Sequence, residues 1–426
     1  MKKIRAVLAG GGMRGTGYAK YALDHPDELE LVAVAEPNKE RRDHLKKLHN
    51  LPDSRCFESF TELFSLPKMA ELAMICTQDN MHVGPALAAI DKGYEILLEK
   101  PVAPTAKECR KVEAAAIQKG VHVVVCHVLR YSAFFANIKE MIDSGAIGEV
   151  VSIVHNENVG YFHQAHSFVR GNWRNTAQSS PMILAKSCHD MDLLQWLLGK
   201  PCKKVHSFGA LCYFTRENCP PGAPARCIEG CPHAKTCPYD TKKLYENGLW
   251  WFQEAAANKP SPTPDEVRAA LRTGPYGRCV FQCDNDVVDH QVVNLEFEGG
   301  VTAAFSMCAF TPETTRTIKI MGTKGQIRGL LADKMEIVAD YFETNTQAVI
   351  DPQEKIGGIA GHGGGDTGLM ASVCAMLRGQ YAGNAISDIS TSVHNHNIAF
   401  AAEASRLENR VVQLSEFENG GKTAGL

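Results

Sequence analysis

Ile4-Arg5-Ala6-Val7-Leu8-Ala9 runs directly into Gly10-Gly11-Gly12-Met13-Arg14-Gly15, and from there into Thr16-Gly17-Tyr18-Ala19-Lys20-Tyr21-Ala22. The first six residues read as a buried strand, a short apolar run ended by glycines. In the last segment Tyr18, Tyr21 and Ala22 fall at the i, i+3, i+4 spacing of one helix face. Between them, Gly10, Gly12 and Gly15 satisfy G-x-G-x-x-G. After a strand and before a helix, each such glycine has its own mechanical job. They make a tight turn, let the backbone approach a pyrophosphate, and let helix pack closely on strand. The helix opening at Met13, Arg14 and Gly15 then faces the phosphates with unpaired N–H groups. The competing reading is a glycine-rich turn in an unrelated α/β protein.

The next elements bear on that choice. Leu29 to Ala35 is a second β-rich run, and it ends at Glu36, 21 residues beyond Gly15. A carboxylate there is placed for ribose hydroxyls. It would repel a 2′-phosphate, which favours NAD over NADP. Arg41 and Arg42 follow on a charged helix, Lys39 to Leu48, and read as its solvated face.

Strand and helix signals go on alternating to about residue 127. Leu72 to Cys76, Glu95 to Glu99 and Val121 to Cys126 read as strands, Val83 to Lys92 and Thr105 to Lys119 as helices. Alternation of this kind implies parallel strands joined by crossover helices, a Rossmann sheet. Near Gly148 the pattern changes. Glu149 to His155, Val287 to Phe297, Val301 to Phe310, Thr317 to Met321 and Gln326 to Leu330 read as neighbouring strands with glycine turns between some of them. They predict an open, mostly antiparallel sheet. Helices are expected over Ser187 to Leu198, Asp366 to Leu377 and Ser392 to Leu407. The expected organisation is a nucleotide domain over 1–127 and a sheet domain over 128–410. The second carries a cysteine-rich insertion at about 212–285, and a tail spans 411–426, expected to fray from Glu416 on.

With 44% apolar and 22% charged residues and a net charge of −3, the chain matches an ordinary globular protein. Such a balance offers no global field for nucleic acid or for an anionic membrane. No apolar run is long enough to span a bilayer. The start, Met1-Lys2-Lys3-Ile4, leads into an apolar stretch too short and glycine-broken for a signal peptide, which reads as a first β-strand. Fifteen cysteines, an odd number, fit reduced thiols and a cytoplasmic setting.

Glu99-Lys100-Pro101 closes the fourth expected strand. Thr77-Gln78-Asp79-Asn80-Met81-His82 follows the one before it. Further on, His189-Asp190-Met191-Asp192 leads an apolar run to Trp196-Leu197-Leu198-Gly199. In this order the three motifs resemble the Gfo/Idh/MocA family, the glucose–fructose oxidoreductase and inositol dehydrogenase relatives, over about residues 1–200 and 286–410. The resemblance implies an NAD-dependent oxidoreductase acting on the alcohol of a sugar, sugar derivative or polyol. It implies that Glu99 and Lys100 lie beside the cofactor and that Lys100 holds the substrate oxygen. It places His189 opposite as general acid/base, and Thr77, Asn80 and His82 around the nicotinamide. The Lys100–Pro101 bond is expected to be open to the cis form. By analogy with the family, copies of the chain pair through the open sheet face.

One position departs from the family. Its dehydrogenases often carry an Asp four residues before the histidine, where this chain has Ala185 followed by Lys186. On a continuous helix Lys186, His189 and Leu193 share a face, with Asp192 at its margin. Two lysines near one pocket depress each other's proton affinity, which makes Lys186 a candidate base. Two other functions stay open, the first sharing the dehydrogenase's residues and the second favoured by loss of the acid. One is an NAD-dependent glycosidase working through a transient keto-sugar, the other a non-catalytic nucleotide-sensing regulator.

Polar and aromatic residues crowd the end of the sheet domain's first strand: His155, Glu157, Tyr161, His163, His166, Trp173 and Arg174. Such density suits a sugar pocket, and His166, Trp173, Arg174, Asp192 and His362 are the substrate candidates. His362 lies in a glycine loop, 361–365, ahead of Asp366, which reads equally well as a helix N-cap. Within the insertion, Cys227-x₃-Cys231-x₅-Cys237 is spaced to supply thiolates to a structural zinc that would hold an otherwise coreless loop. An iron–sulfur cluster and a set of plain reduced thiols are the alternatives.

Overall fold

The computed structural model describes residues 2–352 and 362–418. Its first sheet holds β1 (Ile4–Ala9), β2 (Leu29–Ala35), β3 (Cys56–Phe57), β4 (Leu72–Ile75), β5 (Glu95–Leu98) and β6 (Val123–Val125). All pairs are parallel, in the order β3-β2-β1-β4-β5-β6. Strand order runs outward in both directions from β1. The carboxyl ends of β1 and β4 therefore flank the crevice where doubly wound sheets bind ligands. Helices cover both faces, so Ala6, Val7, Leu8 and Ala9 are all 0% exposed. Strand β3 escaped the sequence reading because two residues carry no period.

The second sheet comprises β7 (Val150–Asn158), β8 (Cys202–Ala210), β9 (His290–Phe297), β10 (Thr302–Cys308), β11 (Thr315–Gly322), β12 (Gly325–Leu331), β13 (Glu336–Tyr341), β14 (Thr346–Ile350) and β15 (Val412–Gln413). Its order is β14-β13-β12-β11-β7-β10-β9-β8-β15. Among the described residues of this sheet, only β7 and β10 pair in parallel. One face buries Ile153, Val293, Phe305, Ile318 and Ile320, while the other leaves Val154, Phe208 and Val292 exposed. An open, mostly antiparallel sheet was the expectation, and the structure agrees.

Three features depart from the sequence reading. Helix Gly365–Leu377 lies late in the chain, yet Leu369, Met370, Val373 and Cys374 pack with Ile4, Leu8 and Tyr18 in the nucleotide half. Phe417, in the stretch expected to fray, is buried, and ahead of it Val412 pairs with Val205. Residues 419–426 lie outside the described residues. The insertion, finally, is not coreless. Phe214, Tyr239, Tyr245, Phe252, Leu271 and Phe281 form a separate apolar cluster, with helices at Trp250–Ala257 and Pro264–Thr273. Its aromatics come from scattered turns and short helices, so no period announced them.

Candidate functional site

The glycine turn has the geometry its motif requires. Gly10 has φ +97°, and a Cβ there would stand 2.5 Å from the Cys76 carbonyl oxygen. At Gly15 a Cβ would stand 2.0 Å from the Gly10 oxygen, so helix Met13–Asp24 can lie on β1 only because Gly15 has no side chain. Gly12 differs: a Cβ there would meet nothing nearer than Arg41 Nη1 at 3.9 Å. That open side, beside a helix start with no side-chain cap, fits a pyrophosphate. Glu36 is 4% exposed and accepts N–H bonds from Gly11 (2.6 Å) and Asn38 (2.8 Å). It ties the turn to the end of β2.

Several expected cofactor contacts turn out to be supports. Arg14 points away from the turn. Its guanidinium bonds Glu99 (2.8 Å) and both oxygens of Asp366 (3.0 and 2.6 Å), and also meets Tyr18. Glu99 is buried; it accepts from Arg14, from the Tyr18 hydroxyl (2.8 Å) and from the Lys100 N–H (2.9 Å). Burial would raise its carboxyl, but Arg14 and Lys100 hold it below the usual range. Asp366 does not cap its helix, whose N-cap is Gly364; it receives Arg14 instead. His82 is 1% exposed, its ring nitrogens 2.6 Å from the Pro101 oxygen and 2.9 Å from the Thr77 oxygen. It staples the loop after β4 to the Lys100–Pro101 turn rather than lining a pocket. Asn80 is exposed on that loop. Arg42, read as solvated, is buried and donates to the Glu36 carbonyl (2.6 Å) and to Glu58 (2.8 Å).

Lys100 leaves the end of β5 through a cis bond to Pro101. Its Nζ crosses to the sheet half, donates to the Ala185 carbonyl (2.9 Å), and lies 5.8 Å from the centroid of the Trp173 ring. Trp173 is itself held from the nucleotide half, because its indole N–H donates to Asp79 (3.0 Å). Asp79 also accepts from Ser179 and Ser180. Nothing in its sequence neighbourhood had singled out Asp79.

Lys186 does not share a helix with His189. The short helix Met182–Ala185 ends there, Ser187 caps the next, and Cys188–Leu198 carries His189. Lys186 instead reaches Glu157 on β7 (3.3 Å). Glu157 is 0% exposed and also meets Arg316, its register partner on β11. Arg316 further bonds Asp190 (2.8 Å), and Asp190 bonds His155 (2.7 Å). Burial pushes the Lys186 ammonium down against the pull of Glu157. Burial likewise raises the Glu157 carboxyl more than Arg316 and Lys186 lower it. For Asp190 the balance reverses: Arg316 and His155 overcome burial and hold it low. His163 borders the same group, its ring pushed down by burial and then by Lys186.

Beneath His189 lies a layer that sequence reasoning missed. The His189 ring is 5.9 Å from His127, which is 5.8 Å from His396. Asp192, expected in the pocket, is 1% exposed and belongs to this layer. It takes a two-pronged bond from Arg130 (2.8 and 2.6 Å) and one from Asn395 (2.7 Å). Two other candidates lie apart. Arg174 is committed to Asp284 (2.8 Å). His166 stacks on Phe252 at 3.8 Å inside the insertion core, and burial pushes its ring down to about 3. The side chain of His362 lies outside the described residues.

Cys227, Cys231 and Cys237 line one small cavity with His233 and Cys279. The three sulfurs do not converge within ligand distance. Among the described residues the group with three donor atoms within 4.8 Å is Cys212, Asp289 and His290. There Asp289 already accepts the N–H groups of Cys212 and Tyr213 (2.9 and 2.8 Å), so it anchors a loop. No helix among the described residues is long and apolar enough to cross a membrane.

Comparison with known proteins places this geometry. Residues 4–127 match the profile of the oxidoreductase family's NAD-binding Rossmann fold, and residues 139–414 match that of the Gfo/Idh/MocA C-terminal alpha/beta domain. A Bacillus subtilis protein named as oxidoreductase YteT is 26% identical over 342 residues, 74% of this chain and 77% of that one. The scyllo-inositol 2-dehydrogenase (NADP(+)) of the same organism is 26% identical over 46% of this chain, a match spanning only 52% of the relative. An Agrobacterium radiobacter oxidoreductase, solved with NAD+, L-tartaric acid and magnesium, superposes with TM-score 0.70 at 14% identity. That alignment covers 97% of this chain and 99% of that one.

Proposed function

The chain belongs to the Gfo/Idh/MocA oxidoreductase family, and from that premise we propose that it moves a hydride between NAD and the carbinol carbon of a sugar, sugar derivative or polyol. The bound nicotinamide supplies the hydride acceptor; proton handling and positioning fall to the chain's own side chains. Lys100 carries this reading. Its Nζ spans from the nucleotide sheet to the Ala185 carbonyl, four residues before His189. A substrate hydroxyl that replaced that carbonyl would receive a charge-assisted hydrogen bond between the two halves of the site. His189 then stands ready to exchange the hydroxyl proton, and Lys186, its ammonium pushed down by burial, is a second candidate base. Trp173 gives the pocket an apolar wall of the sort that packs on a sugar ring. Glu36 makes NAD the favoured nucleotide by charge repulsion of a 2′-phosphate. Substrate names among the relatives point to polyols such as inositol as the first compounds to try.

The test is a screen of sugars, sugar acids and polyols with NAD and NADP, read as growth of the reduced-nicotinamide absorbance. Lys100→Met is expected to lower turnover about 10²- to 10⁴-fold, the usual contribution of a placed proton-transfer group, while nucleotide binding persists. Unchanged turnover in that variant removes Lys100 from the chemistry.

A further inference from the structure

The insertion leaves the sheet after β8 and returns to it at β9. Cys212 stands two residues past the end of β8, and Asp289 and His290 stand where β9 begins. The sheet already fixes these stems. The Asp289 N–H donates to the Ala210 carbonyl (3.0 Å), and His290 pairs with Ala210 on one side and with Cys308 of β10 on the other. One donor atom from each of Cys212, Asp289 and His290 lies within 4.8 Å of the other two, so no loop has to move to bring them together. Asp289 is 0% exposed. Its Oδ2 takes the N–H groups of Cys212 and Tyr213, which leaves Oδ1 facing His290 Nδ1 at 2.8 Å. Among the described residues no lysine or arginine pairs with it, and its basic partner is that imidazole alone. A buried carboxylate so placed is short of positive charge. Cys212 is exposed and His290 partly so, which opens the group to solvent on one side.

We propose that Cys212 Sγ, Asp289 Oδ1 and a ring nitrogen of His290 bind one zinc-class divalent cation, which clasps the neck of the insertion. A set of sulfur, nitrogen and carboxylate oxygen suits zinc and not magnesium or calcium, which take oxygen ligands. As the metal–sulfur bond forms, the Cys212 thiol gives its proton to solvent, and His290 ligates as the neutral imidazole. One thiolate and one carboxylate then balance the two charges of the ion, and a water completes the four-coordinate shell on the exposed side. The ion closes a long loop, from position 212 to positions 289 and 290, and fixing the ends of a long loop removes much of its freedom in the unfolded chain. The ion takes no part in hydride transfer. Its consequence is structural. Ala165 and Val169, in the turn Gln164–Arg170, pack in the insertion core, so a fixed neck also steadies the segment that leads to Trp173.

The test uses the full chain, stripped with a chelator and returned to metal-free buffer, with Zn²⁺ as the probe. At a free Zn²⁺ concentration ten times its Kd, alkylation of Cys212 should slow about tenfold, in proportion to the sites left empty. Peptide mass spectrometry follows the labelling, and Cys56 in the nucleotide half should label at an unchanged rate. His290→Gln should abolish the protection of Cys212, whereas Cys227→Ser should keep it. Where His290→Gln does not fold, the wild type still decides: slowing confined to Cys212 supports the clasp, and equal slowing at Cys56 overturns it. Cys212 labelling that ignores Zn²⁺, or protection that survives in folded His290→Gln, would also overturn the assignment.

Discussion

The nucleotide cradle and the sheet-side wall of the pocket solve opposite problems. The cradle works by omission. Gly10, Gly12 and Gly15 lack side chains, so backbone and a helix end can meet a charged ligand. The wall works by accumulation, packing Lys186, Glu157, Arg316, Asp190 and His155 out of water. Backbone sites tolerate no added atom, whereas buried charge networks tolerate no missing partner. The two regions should therefore fail differently.

The largest effect is expected where a buried charge loses its partner. Arg130→Met strands Asp192, which is 1% exposed, and should cost about 3–5 kcal/mol of stability; chemical denaturation measures it, and a cost near zero would show that the layer under His189 is not held by this pair. In the cradle, Gly15→Val forces a methyl-bearing carbon against the Gly10 oxygen, 2.0 Å away. Overpacking of that kind should cost about 1–3 kcal/mol and remove NAD binding in calorimetry. Retained affinity would mean that helix and strand need not touch.

Subtler changes test how each region is tuned. Burial lowers the Lys186 ammonium and Glu157 raises it back. In Glu157→Gln the raising influence is gone, so the neutral amine persists to lower pH. The acidic limb of the kcat/KM profile should then move to lower pH. A shift to higher pH, or none, would take Lys186 out of proton transfer. The smallest effect is on nucleotide choice. Glu36→Ser removes the repelling carboxylate while Arg41 remains beside Gly12, and NADP affinity should rise about tenfold, one charged hydrogen bond's worth, as read by fluorescence titration.

These two regions were also unequally legible. Strand β1, its glycine turn, Glu36 and Lys100 could be placed from spacing and motif, because each depends on neighbours within a few residues or one strand. The supports could not. Arg14 meets Asp366 across 352 positions, and Arg130 meets Asp192 across 62. Lys186 was given to the His189 helix by periodicity, but the helix breaks at Ser187 and sends it to Glu157. His166 and Arg174 looked like sugar ligands because aromatic and basic residues serve pockets and cores alike. Only stacking on Phe252 and pairing with Asp284 distinguish them.

From the chain alone came the parallel nucleotide sheet, the open second sheet and the glycine turn, since periodicity and glycine sterics act locally. Tertiary structure alone decided which charges face the pocket and which are spent as scaffolding. That choice depends on side chains from distant segments meeting where water is excluded, and buried ions persist only where such partners converge.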